Sequence, residues 1–144
     1  MSAKNFFSET DQVAIRQAIE KAELNTSGEI RVRVESKCSK DPKDKAIEIF
    51  EKLEMHRTEL RNAVLFYIAV DDKKFSILGD KGINESVPTD FWDSIRDEML
   101  MLFKENEIAL ALCTGIHMAG EKLKIHFPYQ EDDKNELSNE ISYE

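Results

Sequence analysis

Ala63-Val64-Leu65-Phe66-Tyr67-Ile68-Ala69-Val70 is the longest apolar run in the chain, bounded by Asn62 and Asp71. It is far shorter than the roughly 18 or more residues of a membrane-spanning helix. An unbroken run of this length reads as a strand covered on both faces, and so as the centre of a sheet with helices on either side. Downstream, Asp71-Asp72-Lys73-Lys74 is short and polar and Phe75-Ser76-Ile77-Leu78 resumes the apolar pattern, which predicts an antiparallel hairpin. Upstream, Glu29-Ile30-Arg31-Val32-Arg33-Val34-Glu35 alternates strictly and predicts a strand with one apolar and one charged, partly exposed face. Asp41-Pro42, a cap and a proline suited to the first helical position, precedes Ala46, Ile49, Phe50 and Leu53 at helical spacing. A helical crossover between the first two strands makes them parallel and right-handed.

Outside this centre, Ser8-Glu9-Thr10-Asp11 forms a capping box ahead of Ile15, Ala18, Ile19 and Ala22, a first helix ending near Asn25. The stretch 79–86 reads as the principal loop of the body. Pro88-Thr89-Asp90 opens a third helix with Phe91, Ile95, Met99, Leu102 and Phe103 on one face. Glu107 begins a fourth, with Ile108, Leu112, Gly115, Ile116, Ala119 and Leu123. Lys124-Ile125-His126-Phe127 fits either a fourth strand or the end of that helix. The order of elements predicts a three-layer α/β/α sandwich, an α/β fold with a mixed sheet of three or four strands and helices on both faces. Residues 1–128 are expected to form one domain. Residues 129–144 carry six acids against one lysine, and are expected to be a disordered acidic tail.

Composition narrows the function. The 144 residues include 29 acids and 20 bases, a net charge of -9 that disfavours nucleic acid and anionic lipid as partners. Eight Phe, one Trp and the aliphatic clusters suffice for a core, and five Gly, three Pro and two Cys exclude collagen-like and disulfide-scaffold classes. No apolar segment follows the single lysine of the first residues as a secretory signal would require, so a cytoplasmic location is expected. Cys38 and Cys113 lack a C-x-x-C partner and read as reduced thiols, Cys113 in the interior. Cys113 and His117, four apart, read as helix core rather than metal ligands.

The predicted topology brings three distant segments to one end of the sheet: Thr26-Ser27-Gly28-Glu29, Arg61-Asn62, and the stretch from Gly79-Asp80-Lys81-Gly82 to Glu85. These segments also carry a resemblance. Leu24-Asn25-Thr26-Ser27-Gly28-Glu29-Ile30, Asn62-Ala63-Val64-Leu65 leading to Asp71-Asp72-Lys73-Lys74, Phe75-Ser76-Ile77-Leu78-Gly79 with Gly82-Ile83, and Ile95-Arg96-Asp97-Glu98 resemble, in order and spacing, the TPM domain family. The chain looks like a stand-alone, bacterial-type member. The resemblance implies an α/β/α sandwich, a divalent-cation site and, for some members, acid phosphatase activity. Family members usually have glycine where this chain has Ala63, and a tighter Gly-x-Gly where it has Gly79-Asp80-Lys81-Gly82.

Independently of that family, a hard cation, calcium or magnesium, needs several oxygens converging from loops. Glu29, Asp80, Asn84, Glu85, Asp93 and Asp97 are the candidate ligands, enough for two ions. Asp90, Asp93 and Asp97 share one helical face. The competing reading makes Asp90 a helix cap and the remaining acids solvated charge. Asp71 and Asp72, at the opposite sheet end, read as hairpin residues and as the fallback site. Two functions follow. One is a metal-responsive regulatory or interaction module with a protein partner. The other is a metal-assisted phosphomonoesterase acting on a phosphorylated substrate, with Asp80 or Asp97 as its catalytic acid. A purely structural partner-binding domain is the third reading.

Overall fold

The computed structural model describes residues 3–129 and 136–144. After a 3-10 turn at Ala3–Asn5 come α1 (Glu9–Glu23), β1 (Glu29–Glu35), α2 (Pro42–Lys52), β2 (Ala63–Ala69), β3 (Lys74–Gly79), α3 (Lys81–Ser86), α4 (Asp93–Lys104), α5 (Ile108–His126) and β4 (Ser142–Tyr143). The caps read from the sequence are in place. Ser8 Oγ accepts the Asp11 N–H at 3.1 Å, and the Asp41 carboxylate accepts the Lys43 N–H at 2.8 Å with Pro42 beginning α2.

The strands lie in the order β3-β2-β1-β4. β1 runs parallel to β2 from Glu29 opposite Ala63 to Glu35 opposite Ala69, and β3 returns antiparallel to β2. Every residue of β2 is buried, as a two-sided central strand requires. Its pleat divides the interior. Val64, Phe66 and Ile68 join Ile15 and Ile19 of α1, Met99 of α4, and Leu112 and Ile116 of α5 in the larger core. Ala63, Leu65, Tyr67 and Ala69 face Ala46, Ile49 and Phe50 of α2. The fold is thus an α/β sandwich with α1, α4 and α5 on one face and α2 on the other. At the α4–α5 crossing a Cβ on Gly115 would come within 2.4 Å of Met99 Sδ, so the missing side chain lets the helices approach.

Several expectations need correction. The stretch after Gly79 is not all loop, because Lys81–Ser86 forms the short helix α3. The third helix of the sequence reading opens at Asp93 rather than at Pro88. Turns closed by Phe91 N–H to Pro88 O and Asp93 N–H to Asp90 O, both 3.1 Å, occupy the intervening residues, so Asp90 does not cap it. Residues 124–126 are the last turn of α5, not a strand.

The charged face of β1 is more buried than expected: Glu29, Arg33 and Glu35 are buried, and Arg31 is half-buried. Burial is tolerated for Arg33 and Glu35 because the charges are paired. Arg33 Nε and Nη2 donate to Glu35 Oε2 at 3.1 and 2.9 Å, and the Tyr67 hydroxyl donates to Glu35 Oε1 at 2.8 Å.

The expected disorder of the tail does not hold for residues 136–144. Ser142 and Tyr143 form β4, parallel to β1 opposite Arg33 and Val34, with Ile141 and Tyr143 packed against the larger core. Residues 130–135 lie outside the described residues. Both cysteines are free; Cys113, expected in the interior, is half-buried, and Cys38 is buried. Among the described residues no helix is long and apolar enough to cross a membrane.

Candidate functional site at the sheet end

The three segments expected to meet do so. The Glu29 N–H donates to Asn62 O at 3.2 Å, and Asn62 Nδ2 donates to Ser27 O at 3.2 Å, joining the start of β1 to the start of β2. The Asp80 N–H reaches Ala63 O at 2.9 Å and the Gly82 N–H reaches Arg61 O at 2.8 Å, bringing in the end of β3 and α3. Gly82 is required by that approach. A Cβ there would lie 2.2 Å from Leu60 O and 2.6 Å from Arg61 O.

Asp80 is fully engaged within the protein. Arg61 grips its two oxygens through Nε at 2.8 Å and Nη2 at 3.0 Å, while Oδ1 also accepts the Lys81 N–H at 2.7 Å as the cap of α3. The backbone of Arg61 is left-handed, φ 51°, which aims its side chain at α3. Asn84 turns back to donate from Nδ2 to Gly79 O at 3.0 Å. Glu85 is exposed and 3.9 Å from Lys81. Asp93 pairs with Arg96 at 2.6 Å on the exposed side of α4, where Asp97 is exposed too. Of the six residues put forward as metal ligands, Glu29 and Asp80 are buried, and Asp80 is already tied to Arg61. Among the described residues no three His, Cys, Asp or Glu side chains converge.

What does gather at Glu29 includes residues that the sequence reading did not single out. Glu23, in the last turn of α1, hydrogen-bonds Glu29, and its Oε2 accepts the Ile30 N–H at 2.9 Å. Burial, with the neighbouring Glu29 charge adding to it, pushes the Glu23 carboxyl up to about 8. From the C-terminal segment, the Glu136 N–H donates to Glu29 Oε1 at 2.6 Å, and Asn139 hydrogen-bonds Glu23. Asn139 Oδ1 is buried with no hydrogen-bond partner. Two adjoining carboxyls and an orphaned amide oxygen suit a hard cation in chemistry, although they make a small ligand set. The spacing of Glu23 and Glu29 across the turn 24–28 was the available signal. Asn139 had none, since it reaches the site through the tail.

Of the fallback acids, Asp72 is engaged through its carboxylate and Asp71 through its backbone. Asp72 Oδ2 accepts the Cys38 N–H at 2.7 Å, and Asp71 donates its N–H to Ser36 O at 2.8 Å. Cys113 lines a cleft with Phe6, Phe7 and Leu110 while His117 is exposed. Burial raises the Cys113 thiol above its ordinary range.

A family model for the TPM domain matches residues 1–122. The NMR structure of the BA42 protein from the psychrophilic bacterium Bizionia argentinensis is similar at 45% identity and a TM-score of 0.93, covering 98% of this chain and 97% of that one. Two further solution structures show the same fold at low identity. One is the N-terminal domain of a protein from P. gingivalis, at 14% identity and a TM-score of 0.70 over 88% of this chain and 84% of that one. The other is the N-terminal domain of a Corynebacterium glutamicum protein, at 13% identity and a TM-score of 0.66 over 96% and 80%. No curated protein matches the chain.

Proposed function

The chain belongs to the TPM domain family, and on that basis we propose that it is an interaction module responsive to a divalent cation, calcium or magnesium, bound at the sheet end by Glu29 with Glu23 and Asn139. One observation carries the reading: a buried carboxyl pair, Glu23 raised to about 8, beside an amide oxygen that has no partner. Two carboxyls that share a proton at neutral pH are favourable ligands for a cation, which supplies the positive charge in the proton's place. Glu29 and Glu23 hold the ion from the body, and Asn139 Oδ1 supplies a further coordinating oxygen from the C-terminal segment. With so few charged ligands the expected affinity is weak, about 10⁻⁵ to 10⁻³ M.

The catalytic alternative has less support in this geometry. Asp80 accepts three hydrogen bonds from Arg61 and Lys81, and Asp97 lies on the exposed face of α4, so neither is poised over a reacting atom.

A calcium and a magnesium titration followed by backbone amide NMR tests the reading. Shifts centred on 23–30 and 136–140 that vanish in Glu23→Gln are expected. Responses centred on Asp71 and Asp72, or none at millimolar cation, overturn the site. Metal-dependent turnover of a generic phosphomonoester that disappears in Asp80→Ala overturns the non-catalytic module.

A further inference from the structure

We propose that the edge of β1 is a docking slot for an extended acidic peptide of a partner protein, and that residues 136–144 occupy it in cis as a resident competitor. The inference gives the proposed module its interaction surface. It rests on that module reading but not on the ion.

The slot is defined by what its present occupant touches. β4 adds to β1 in parallel, Ser142 opposite Arg33 and Tyr143 opposite Val34. Ser142 Oγ accepts from buried Arg33 Nη1 at 3.0 Å, and the Glu144 carboxylate accepts the Ser36 N–H at 3.0 Å. On the α1 side, Arg16 Nη1 is 3.4 Å from both Glu140 oxygens, and the Tyr143 hydroxyl donates to Gln12 Oε1 at 3.1 Å. Backbone pairing, alternating apolar anchors and flanking acids make up the mode in which an extended peptide joins a sheet edge.

Two observations mark this occupant as replaceable. No apolar residue of 136–144 is among the fully buried side chains of either core; Leu137, Ile141 and Tyr143 only pack against them from outside. A segment with few buried apolar contacts belongs to the part of a fold that opens most readily. The occupant also leaves part of the slot unsatisfied. Arg31, two residues before Arg33 on the same face of β1, keeps Nε buried with no hydrogen-bond partner. A partner peptide with a carboxylate at that place gains a charge-assisted hydrogen bond that the chain's own segment does not make. Arg16 and Arg31 select for acid, whereas the Arg33 charge is already paired with Glu35 and offers the slot a hydrogen bond through Nη1.

The test uses the full chain with its anchors removed, Ile141→Ala with Tyr143→Ala, and a fluorescein-labelled peptide of the sequence of residues 136–144, in EDTA. These anchors lie outside both cores, so the body folds. Anisotropy is expected to show the variant binding the peptide at least tenfold more tightly than the parent chain does. A scrambled peptide of equal charge is expected not to bind, and adding Arg16→Glu is expected to weaken binding severalfold. Equal binding by parent and variant, or none while hydrogen exchange shows β1 amides 33 and 34 opened, overturns the proposal. So does an anchorless segment that stays closed to exchange, and so does a concentration-dependent dimer formed by segment exchange without peptide binding. Because EDTA removes every divalent ion, failure here leaves the cation titration standing, and failure of that titration leaves this result standing.

Discussion

Arg61 closes a two-pronged ion pair on Asp80, Nε to Oδ2 at 2.8 Å and Nη2 to Oδ1 at 3.0 Å, and so ties the entry of β2 to the start of α3. Asp80 is buried while the Arg61 side chain is 45% exposed, so solvent screens the ionic part of the pair. The larger loss on removing Asp80 comes from the uncapped Lys81 N–H. Asp80→Ala is expected to cost about 1–3 kcal/mol in urea unfolding, and Asp80→Asn, which keeps an acceptor, less than half of that.

Stability should fall as pH rises. The folded-state pKa of Glu23 is raised above the ordinary 4.5 to about 8. A raised carboxyl pKa means that the folded state holds the proton more tightly. Its contribution is complete below the unfolded value, declines between pH 4.5 and about 8, and is gone above that. The slope is at most about 1.4 kcal/mol per pH unit. Urea unfolding at pH 5, 7 and 9 checks this, and Glu23→Gln should flatten the difference between the first and the last.

The strands of the body and the order of the layers were legible because their signals are periodic: eight apolar residues for β2, strict alternation for β1, and i, i+3, i+4 spacing with caps for α1 and α2. The meeting of 26–29, 61–62 and 79–82 followed from topology alone. Which side chains point inward there did not. Asp80 is consumed by Arg61, a pairing 19 residues apart that no pattern announces. The tail misled because its acids outweigh its apolar residues. The alternation Ile141-Ser142-Tyr143 that makes β4 is only three residues long and gains its meaning from Arg33 and the core beside it.

Two glycines at close approaches should respond differently to the same change. In Gly82→Ala the new methyl meets the carbonyls of Leu60 and Arg61, backbone that cannot move without breaking the sheet-end contacts. A loss of about 2–4 kcal/mol is expected. In Gly115→Ala the two nearest atoms belong to the Met99 side chain, which has several rotatable bonds, the Phe66 ring follows at 3.1 Å, and the helix gains from replacing glycine. The expected change is about 1 kcal/mol or less. Thermal unfolding of the two variants side by side checks the contrast.

Ion binding at Glu23 and Glu29 should release a proton. Near pH 7 the Glu23 carboxyl is largely protonated, because its pKa lies at about 8. A divalent cation competes for the same oxygens, so calcium titrated at pH 7 should eject close to one proton per ion. Calorimetry in two buffers of different ionisation enthalpy measures that number directly. At pH 9 the carboxyl is already ionised, so the release should shrink towards zero and the affinity should rise. Asn139→Ala should weaken binding while leaving the proton count unchanged, since it removes an oxygen that carries no proton. A release that stays near zero at pH 7 while calcium binds would place the ion away from Glu23.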